Sequence, residues 1–388
     1  MLTVRELWEL IDQRVGPLTP RTLTLTETVG CRLAEAVVAD TDLPAFHRSS
    51  IDGFAVRAGS GPGIYRLAGE IRPGMPACGP VEEGSAVRIF TGTALSDGLE
   101  LVMVEDAEVR DGEVLLHKAS EAGLIRRRAS QARAGDVLIA AGSEITPGAV
   151  ALLATVGKAC PLVIPRPTVA HLSTGGELVD VDREPPPGFI RDSNLSLLKA
   201  MIREAGAERV FHRRVSEDID EAVSALEGLA ADVLLISGGA SVGAYDGTAE
   251  ILRRLGFTIH SSRVRSRPGK PLIFATREGR VAFGLPGNPL SHFVCFHLFV
   301  RRALDRLAGR PPKTLVEVYP DEMPEPDPRE TWWPARVRAE GGMLRARPLP
   351  WTDSSDLTGL PPANALLRVG TEKTNALSEV LIFGTLES

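Results

Sequence analysis

The chain has 388 residues, enough for two to four separate cores, and a formal net charge of −6 from 44 Lys plus Arg against 50 Asp plus Glu. That balance offers no basic surface to nucleic acid or an anionic membrane, and no apolar run reaches membrane-spanning length. The 4 cysteines, Cys31, Cys78, Cys160 and Cys295, stand far apart without a C-x-x-C pair, and the N-terminus carries charges where a signal peptide needs an apolar core, so a soluble protein of the reducing cytoplasm is expected, without disulfide framework or zinc site.

Val4, Leu7, Trp8 and Ile11 have helical spacing, with Thr3 as N-cap and Glu6 completing a capping box. A second helix is predicted after Thr26, where T-E-T-V-G-C-R-L-A-E-A-V-V-A keeps an apolar face. Between Asp42 and Val56, Ser49, Ser50, Asp52 and Gly53 interrupt an apolar stretch, and Asp52-Gly53 has the composition of a turn. From Ile64 to Leu116 short strands alternate with turns, which predicts a small β-rich lobe with Thr91 at a strand end beside a glycine. Arg126, Arg127 and Arg128 form a basic triplet, either a solvated loop or an anion clamp. Ala134 to Gly157 combines a turn, a strand and a helix opened by proline.

Thr168 to Arg310 alternates strand and helix in the rhythm of a doubly wound sheet. Val169 to Ser173 run into Thr174, Gly175, Gly176 and Glu177. After a Pro-rich excursion, Asp192 and Ser193 cap a helix, and Arg209 to Val215 form a strand. Acidic residues, Asp218 among them, then start the helix Ile219 to Leu229, where they complement its dipole. Val233 to Ile236 are branched and apolar, suited to a strand buried on both faces. They stop at Ser237, Gly238, Gly239, Ser241 and Gly243, a loop whose backbone N–H groups can close on a phosphate, before Asp246 and an apolar-faced helix. A third strand end carries Pro286, Gly287, Asn288 and Pro289 ahead of the helix Leu290 to Leu307. In an open parallel sheet such loops share one rim, where ligands bind. From Thr314 onward short strands predict a closing β domain, with a hairpin around Glu340-Gly341-Gly342.

The motifs S-S-I-D-G-F-A, R-I-F-T-G-T, L-S-T-G-G-E-L, D-S-N, S-G-G-A-S-V-G-A-Y-D, R-P-G-K-P and L-P-G-N-P-L-S resemble, in order and spacing, the molybdopterin molybdenumtransferase family, that of MoeA and the gephyrin E-domain. The resemblance spans essentially the whole chain. It implies a multidomain α/β fold: a discontinuous helical or linking domain (1–45 and 135–168), a β-rich lobe (46–134), a doubly wound molybdopterin-binding α/β domain (169–311) and a C-terminal β-barrel-like domain (312–388). It implies molybdate insertion into adenylylated molybdopterin with release of AMP, Mg2+ as helper ion, and a cytoplasmic homodimer with shared active sites, supplied by the adenylyltransferase of the preceding step. Asp52, Thr91, Glu177, Asp218, Asp246 and Lys270 match catalytic positions, with Asp246, Glu177 and Asp218 as metal ligands. Ser237, Gly238, Gly239, Ser241, Gly243, Arg267, Pro268, Gly269, Pro286, Gly287, Asn288, Pro289, Ser354 and Ser355 match positions around the substrate. The chain departs from the family pattern at Ala129, Ser130 and Gln131, where G-E-D is usual, at Gly176 in place of an acid, and at Arg267 in place of lysine. Two other readings follow from the residues: an adenylyltransferase of molybdopterin, which the α/β domain alone resembles, and a divergent non-catalytic scaffold that holds the pterin.

Overall fold

The computed structural model describes residues 1–238, 242–372 and 377–386, with the side chains of residues 242–246 outside the description. It divides into two units, one of Met1–Arg21, Gly30–Arg32 and Val163–Ser388, the other of Thr22–Val29 and Leu33–Leu162.

The chain opens in the first unit with helix α1 (Val4–Arg14), where Thr3 and Glu6 make both halves of the capping box. Val4, Leu7, Trp8 and Ile11 are its buried stripe, as their spacing predicts.

In the second unit, the predicted helix after Thr26 does not form. A short turn at Leu25–Glu27 is followed by Gly30 at φ 81°, where the chain passes into Gly30–Arg32 of the first unit, and Val37–Val38, again in the second, pair with Val137–Ile139 as strands. Gly30 breaks the helical path, and β-branched valines favour an extended partner over a helix of their own. Six strands build the lobe's sheet: β1 (Gly53–Arg57), β2 (Gly63–Ile71), β3 (Ser85–Ile89), β4 (Leu99–Met103), β5 (Ala107–Arg110) and β6 (Glu113–Leu116), in the order β4-β1-β3-β2-β6-β5. Helix α2 (Pro147–Thr155) begins on proline with Thr146 capping Ala149.

Back in the first unit stands a six-stranded sheet of β7 (Thr168–Thr174), β8 (Glu208–Val215), β9 (Val233–Ser237), β10 (Thr258–Arg263), β11 (Pro271–Arg277) and β12 (Arg280–Leu285), ordered β8-β7-β9-β12-β11-β10. The first four in that order are parallel, and β11 runs antiparallel to both neighbours. Every residue of β9 is buried, because helices cover both faces. Val233, Leu235, Phe283 and Phe274 point to the side of α1, α3 (Ser193–Glu204) and α6 (Pro289–Cys295), which continues through a wider turn at Phe296–Val300 into α7 (Arg301–Leu307). Leu234, Ile236, Ala282 and Ile273 point to the side of α4 (Ile219–Leu226) and α5 (Val242–Arg254). The indole N–H of Trp8 donates to the Leu298 carbonyl at 2.7 Å, inside the wider turn.

The C-terminal region is a closed five-stranded barrel of β13 (Val316–Pro320), β14 (Glu330–Glu340), β15 (Met343–Pro348), β16 (Ala365–Val369) and β17 (Ser378–Ile382). The hairpin expected around Glu340-Gly341-Gly342 joins β14 to β15, with Glu340 opposite Met343.

Candidate active site

Parallel strands put the carboxyl ends of β8, β7, β9 and β12 on one edge of the sheet, so the loops that follow them face one rim. Because β11 is antiparallel to β12, with Ile273 opposite Gly284, its beginning at Pro271 lies at the same edge, which brings Lys270 there too, with an exposed side chain. A cleft of about 490 Å³ opens beside this edge, lined by Thr174, Asp218, Gly247 and Thr248 among others.

The loop after β9 starts at Gly238, whose φ is +128° and where a Cβ would stand 2.2 Å from both the carbonyl oxygen and the hydroxyl of Thr174. Only glycine fits there, so the path of the loop depends on that residue. Gly239 and Ser241 lie outside the described residues. Helix α5 starts at Val242, so Gly243 belongs to the helix and not to the loop. Asp246 likewise sits within the helix, one turn in from the junction that the sequence predicts; its side chain is outside the description.

Of the two other acids on this rim, Asp218 caps α4. One of its oxygens accepts the backbone N–H groups of Asp220 at 2.8 Å and Glu221 at 3.1 Å, which leaves the second oxygen uncommitted by the cap. Glu177 is exposed and carries its carboxylate over Gly175, where a Cβ would meet it at 2.8 Å. Among the described residues no three acidic, histidine or cysteine side chains gather as a metal site.

The loop Pro286–Pro289 is tied from both sides. Asn194 donates its amide to the Gly287 carbonyl at 2.7 Å, and Asn288 donates to the Ser354 hydroxyl at 2.5 Å, while Leu290 N–H bonds the Ser354 carbonyl. The structure therefore brings Ser354 from the C-terminal region to the helix start at Pro289. Around it, Asp353 accepts the N–H and hydroxyl of Ser355, and hydrogen bonds from Thr358 and Thr352 hold the Asp356 carboxyl down to about 2. In the R-P-G-K-P segment, Arg267 pairs with Asp327 at 2.5 Å and lies over the Trp351 ring at 5.3 Å. Pro268 is buried, and Gly269 has φ +91° with the Cys295 sulfur 2.5 Å from where a Cβ would be.

In the second unit Asp52 and Thr91 meet directly. Thr91 donates its N–H and its hydroxyl to the same Asp52 oxygen, each at 2.8 Å, and these bonds hold the exposed carboxyl below its ordinary range. Asp42 receives the Arg128 guanidinium at 2.6 Å, so one arginine of the triplet closes a local ion pair.

A group that the motifs do not point to lies just beneath the rim. Ser237, 2 % exposed, has its hydroxyl between the Nε2 atoms of His171 at 2.7 Å and His292 at 2.8 Å, both imidazoles fully buried. The His171 and His212 Nδ1 atoms lie 3.1 Å apart. Burial pushes the His292 imidazole down to about 4, against the Pro286 carbonyl and Asp192, and drives His171 well below its usual range, with His212 and His292 adding to the effect. The hydroxyl of Ser237 is thus committed inward; its backbone continues into the loop.

Residues 2–157 match the family described as the MoeA N-terminal region (domain I and II), and residues 170–306 match the probable molybdopterin binding domain. The chain is 34% identical over 353 residues to a molybdopterin molybdenumtransferase of Bacillus subtilis, covering 86% of this chain and 82% of the relative. It is 31% identical over 330 residues to a molybdopterin molybdenumtransferase of Staphylococcus aureus, covering 82% of this chain and 78% of the relative. A crystal structure of a molybdopterin biosynthesis MoeA protein from Pyrococcus horikosii superimposes with a TM-score of 0.77 at 26% identity, covering 99% of this chain and 100% of the other. With its α/β domain, its lobe and its closed C-terminal barrel, the chain belongs to the molybdopterin molybdenumtransferase family.

Proposed function

We propose that this chain is a molybdopterin molybdenumtransferase that inserts molybdate into adenylylated molybdopterin, with AMP as the leaving product. The observation that carries the reading is the shared rim, where the loop that leaves Gly238, the Pro286–Pro289 loop, Asp218 and Lys270 stand at one edge of the sheet. Cleaving a phosphoanhydride needs its phosphates held and the developing charge met by donors already in place. Backbone N–H groups of the two loops and the Lys270 ammonium do this work. Arg267, held by Asp327, and Ser354, held by Asn288, border the substrate.

Glu177, Asp218 and Asp246 are hard oxygen donors of the kind Mg2+ prefers, and the Asp218 oxygen that the cap does not use and the exposed carboxylate of Glu177 suit it. When bound, the ion supplies positive charge to phosphate oxygens. We place the protein in the cytoplasm as a homodimer, with Asp52 and Thr91 of one chain completing the site of its partner, and with substrate received from the preceding adenylyltransferase. The four-domain division at 1–45 with 135–168, 46–134, 169–311 and 312–388 belongs to the same reading.

The test is AMP release from adenylylated molybdopterin by the purified chain. Release that needs both molybdate and Mg2+ is expected. An equal rate after EDTA treatment would refute the metal assignment, consumption of ATP would identify an adenylyltransferase, and tight pterin binding without AMP would identify a scaffold.

A further inference from the structure

Ser237 has one hydroxyl proton and two imidazole Nε2 atoms to satisfy, at 2.7 and 2.8 Å. It can donate to one ring only, so the other must be the donor. His171 and His292 therefore hold opposite tautomers. The same constraint passes outward, because one of the two Nδ1 atoms that face each other at 3.1 Å, in His171 and His212, must carry a proton and the other must not.

The two directions of the chain are equivalent by this count: either ring can be the one that donates to Ser237, and the buried His292 Nδ1 has no hydrogen-bond partner that would select one. Only His212, half-buried, reaches the surface. The depressed pKa of each of the three rings is consistent with a neutral chain.

The placement gives the chain a purpose. His212 is on β8, His171 on β7, Ser237 is the last residue of β9 and His292 is in the first turn of α6. One line of hydrogen bonds thus crosses the sheet beneath the rim. It anchors the residue from which the glycine loop departs and the helix that follows the Pro286–Pro289 loop.

We propose that the His212–His171–Ser237–His292 chain is a positioning device that fixes the end of β9 and the start of α6 relative to each other, the two points at which the phosphate-holding loops are attached, with His171 and His292 as positioning residues. This rests on the functional reading above only for the identity of the phosphate ligand. The chain touches no reacting atom. Its value is that the strand end and the helix start are in place before the phosphate arrives.

Two measurements on the full-length protein test it. In protein labelled with 15N-histidine, which has 7 imidazoles, His171 and His292 are expected as opposite neutral tautomers at neutral pH, one Nε2–H and the other Nδ1–H, with both patterns disturbed in Ser237→Ala. Identical tautomers on the two rings, or a charged ring in either place, would overturn the chain. The second measurement is AMP binding by calorimetry. His292→Leu, shown folded by its thermal transition, is expected to weaken AMP about tenfold, and His292→Gln, which returns an amide to Ser237, to restore it to within about threefold. Unchanged AMP affinity in folded His292→Leu, or no rescue by glutamine, overturns the positioning role. Should the wild type bind AMP but insert no molybdenum, the functional reading falls while these two outcomes still decide the chain.

Discussion

Thr91 gives both its backbone N–H and its hydroxyl to one oxygen of Asp52, so this exposed carboxylate is oriented by a neighbour across two strand ends rather than by its own loop. The arrangement keeps Asp52 ionised to lower pH than an ordinary aspartate. Thr91→Val removes the hydroxyl bond and should move the Asp52 titration up towards the ordinary carboxylate range in an NMR titration. The sign is that of a depressed folded-state pKa. The stabilisation is present at neutral pH and is lost as pH falls through the folded pKa. An unmoved titration would mean that the backbone N–H alone sets it.

Gly238→Ala is expected to cost about 1–3 kcal/mol in backbone strain and to impair substrate binding, because φ is +128° and the Thr174 oxygens stand 2.2 Å from the added carbon. Gly247→Ala, within α5 and with nothing within 4 Å of the new carbon, should instead be neutral or stabilise by up to about 1 kcal/mol. Chemical denaturation of the two variants side by side measures the contrast. Equal effects would show that the turn tolerates a side chain.

Asp305, 2 % exposed, joins Arg301 at 3.1 Å and Arg310 at 3.2 Å. Truncation to alanine leaves two largely buried guanidinium groups without their shared anion, and a loss of about 3–5 kcal/mol is expected in urea unfolding. A loss below about 1 kcal/mol would mean that the arginines re-solvate freely. Activity per folded molecule should stay as it was.

Asp52→Ala and Asp246→Ala chains should each be poorly active alone and regain AMP release when co-refolded, since a mixed dimer leaves one site with both acids intact. Differently tagged chains confirm exchange. Absence of recovery from confirmed mixed dimers would contradict a site shared between chains.

Gln131→Asp returns a carboxylate where the family pattern has one and is expected to raise Mg2+ affinity in a metal titration of AMP release. An unchanged metal dependence would show that the site works around the amide.

What was legible in the sequence was local. The capping box of α1 is written in residues three apart, Thr3 and Glu6, and the buried strand β9 in four consecutive branched side chains. Val37 and Val38 misled because they read as part of an apolar helical face, whereas their partners are Val137 and Ile139, far along the chain. The histidine chain was invisible for the same reason. His171, His212 and His292 have no common spacing, and only the sheet register puts His171 opposite His212. Ser354 matches a position around the substrate through the family resemblance alone, and its bond to Asn288 is a tertiary fact.

The closed barrel has a consequence for how the C-terminal region can meet other proteins. Strand β14 pairs with β15 and β16, its start at Glu330–Thr331 also takes up Ser266–Arg267 in parallel, and the remaining ladder runs through β13 and β17, so among the described residues the five strands close on themselves. Among the described residues, a protein that recognises this region meets a ladder closed on itself, with the start of β14 taken by Ser266–Arg267, and reads side chains and turns rather than adding a strand. The same closure denies a template to a second copy, which protects the region against edge-to-edge aggregation when the protein is concentrated.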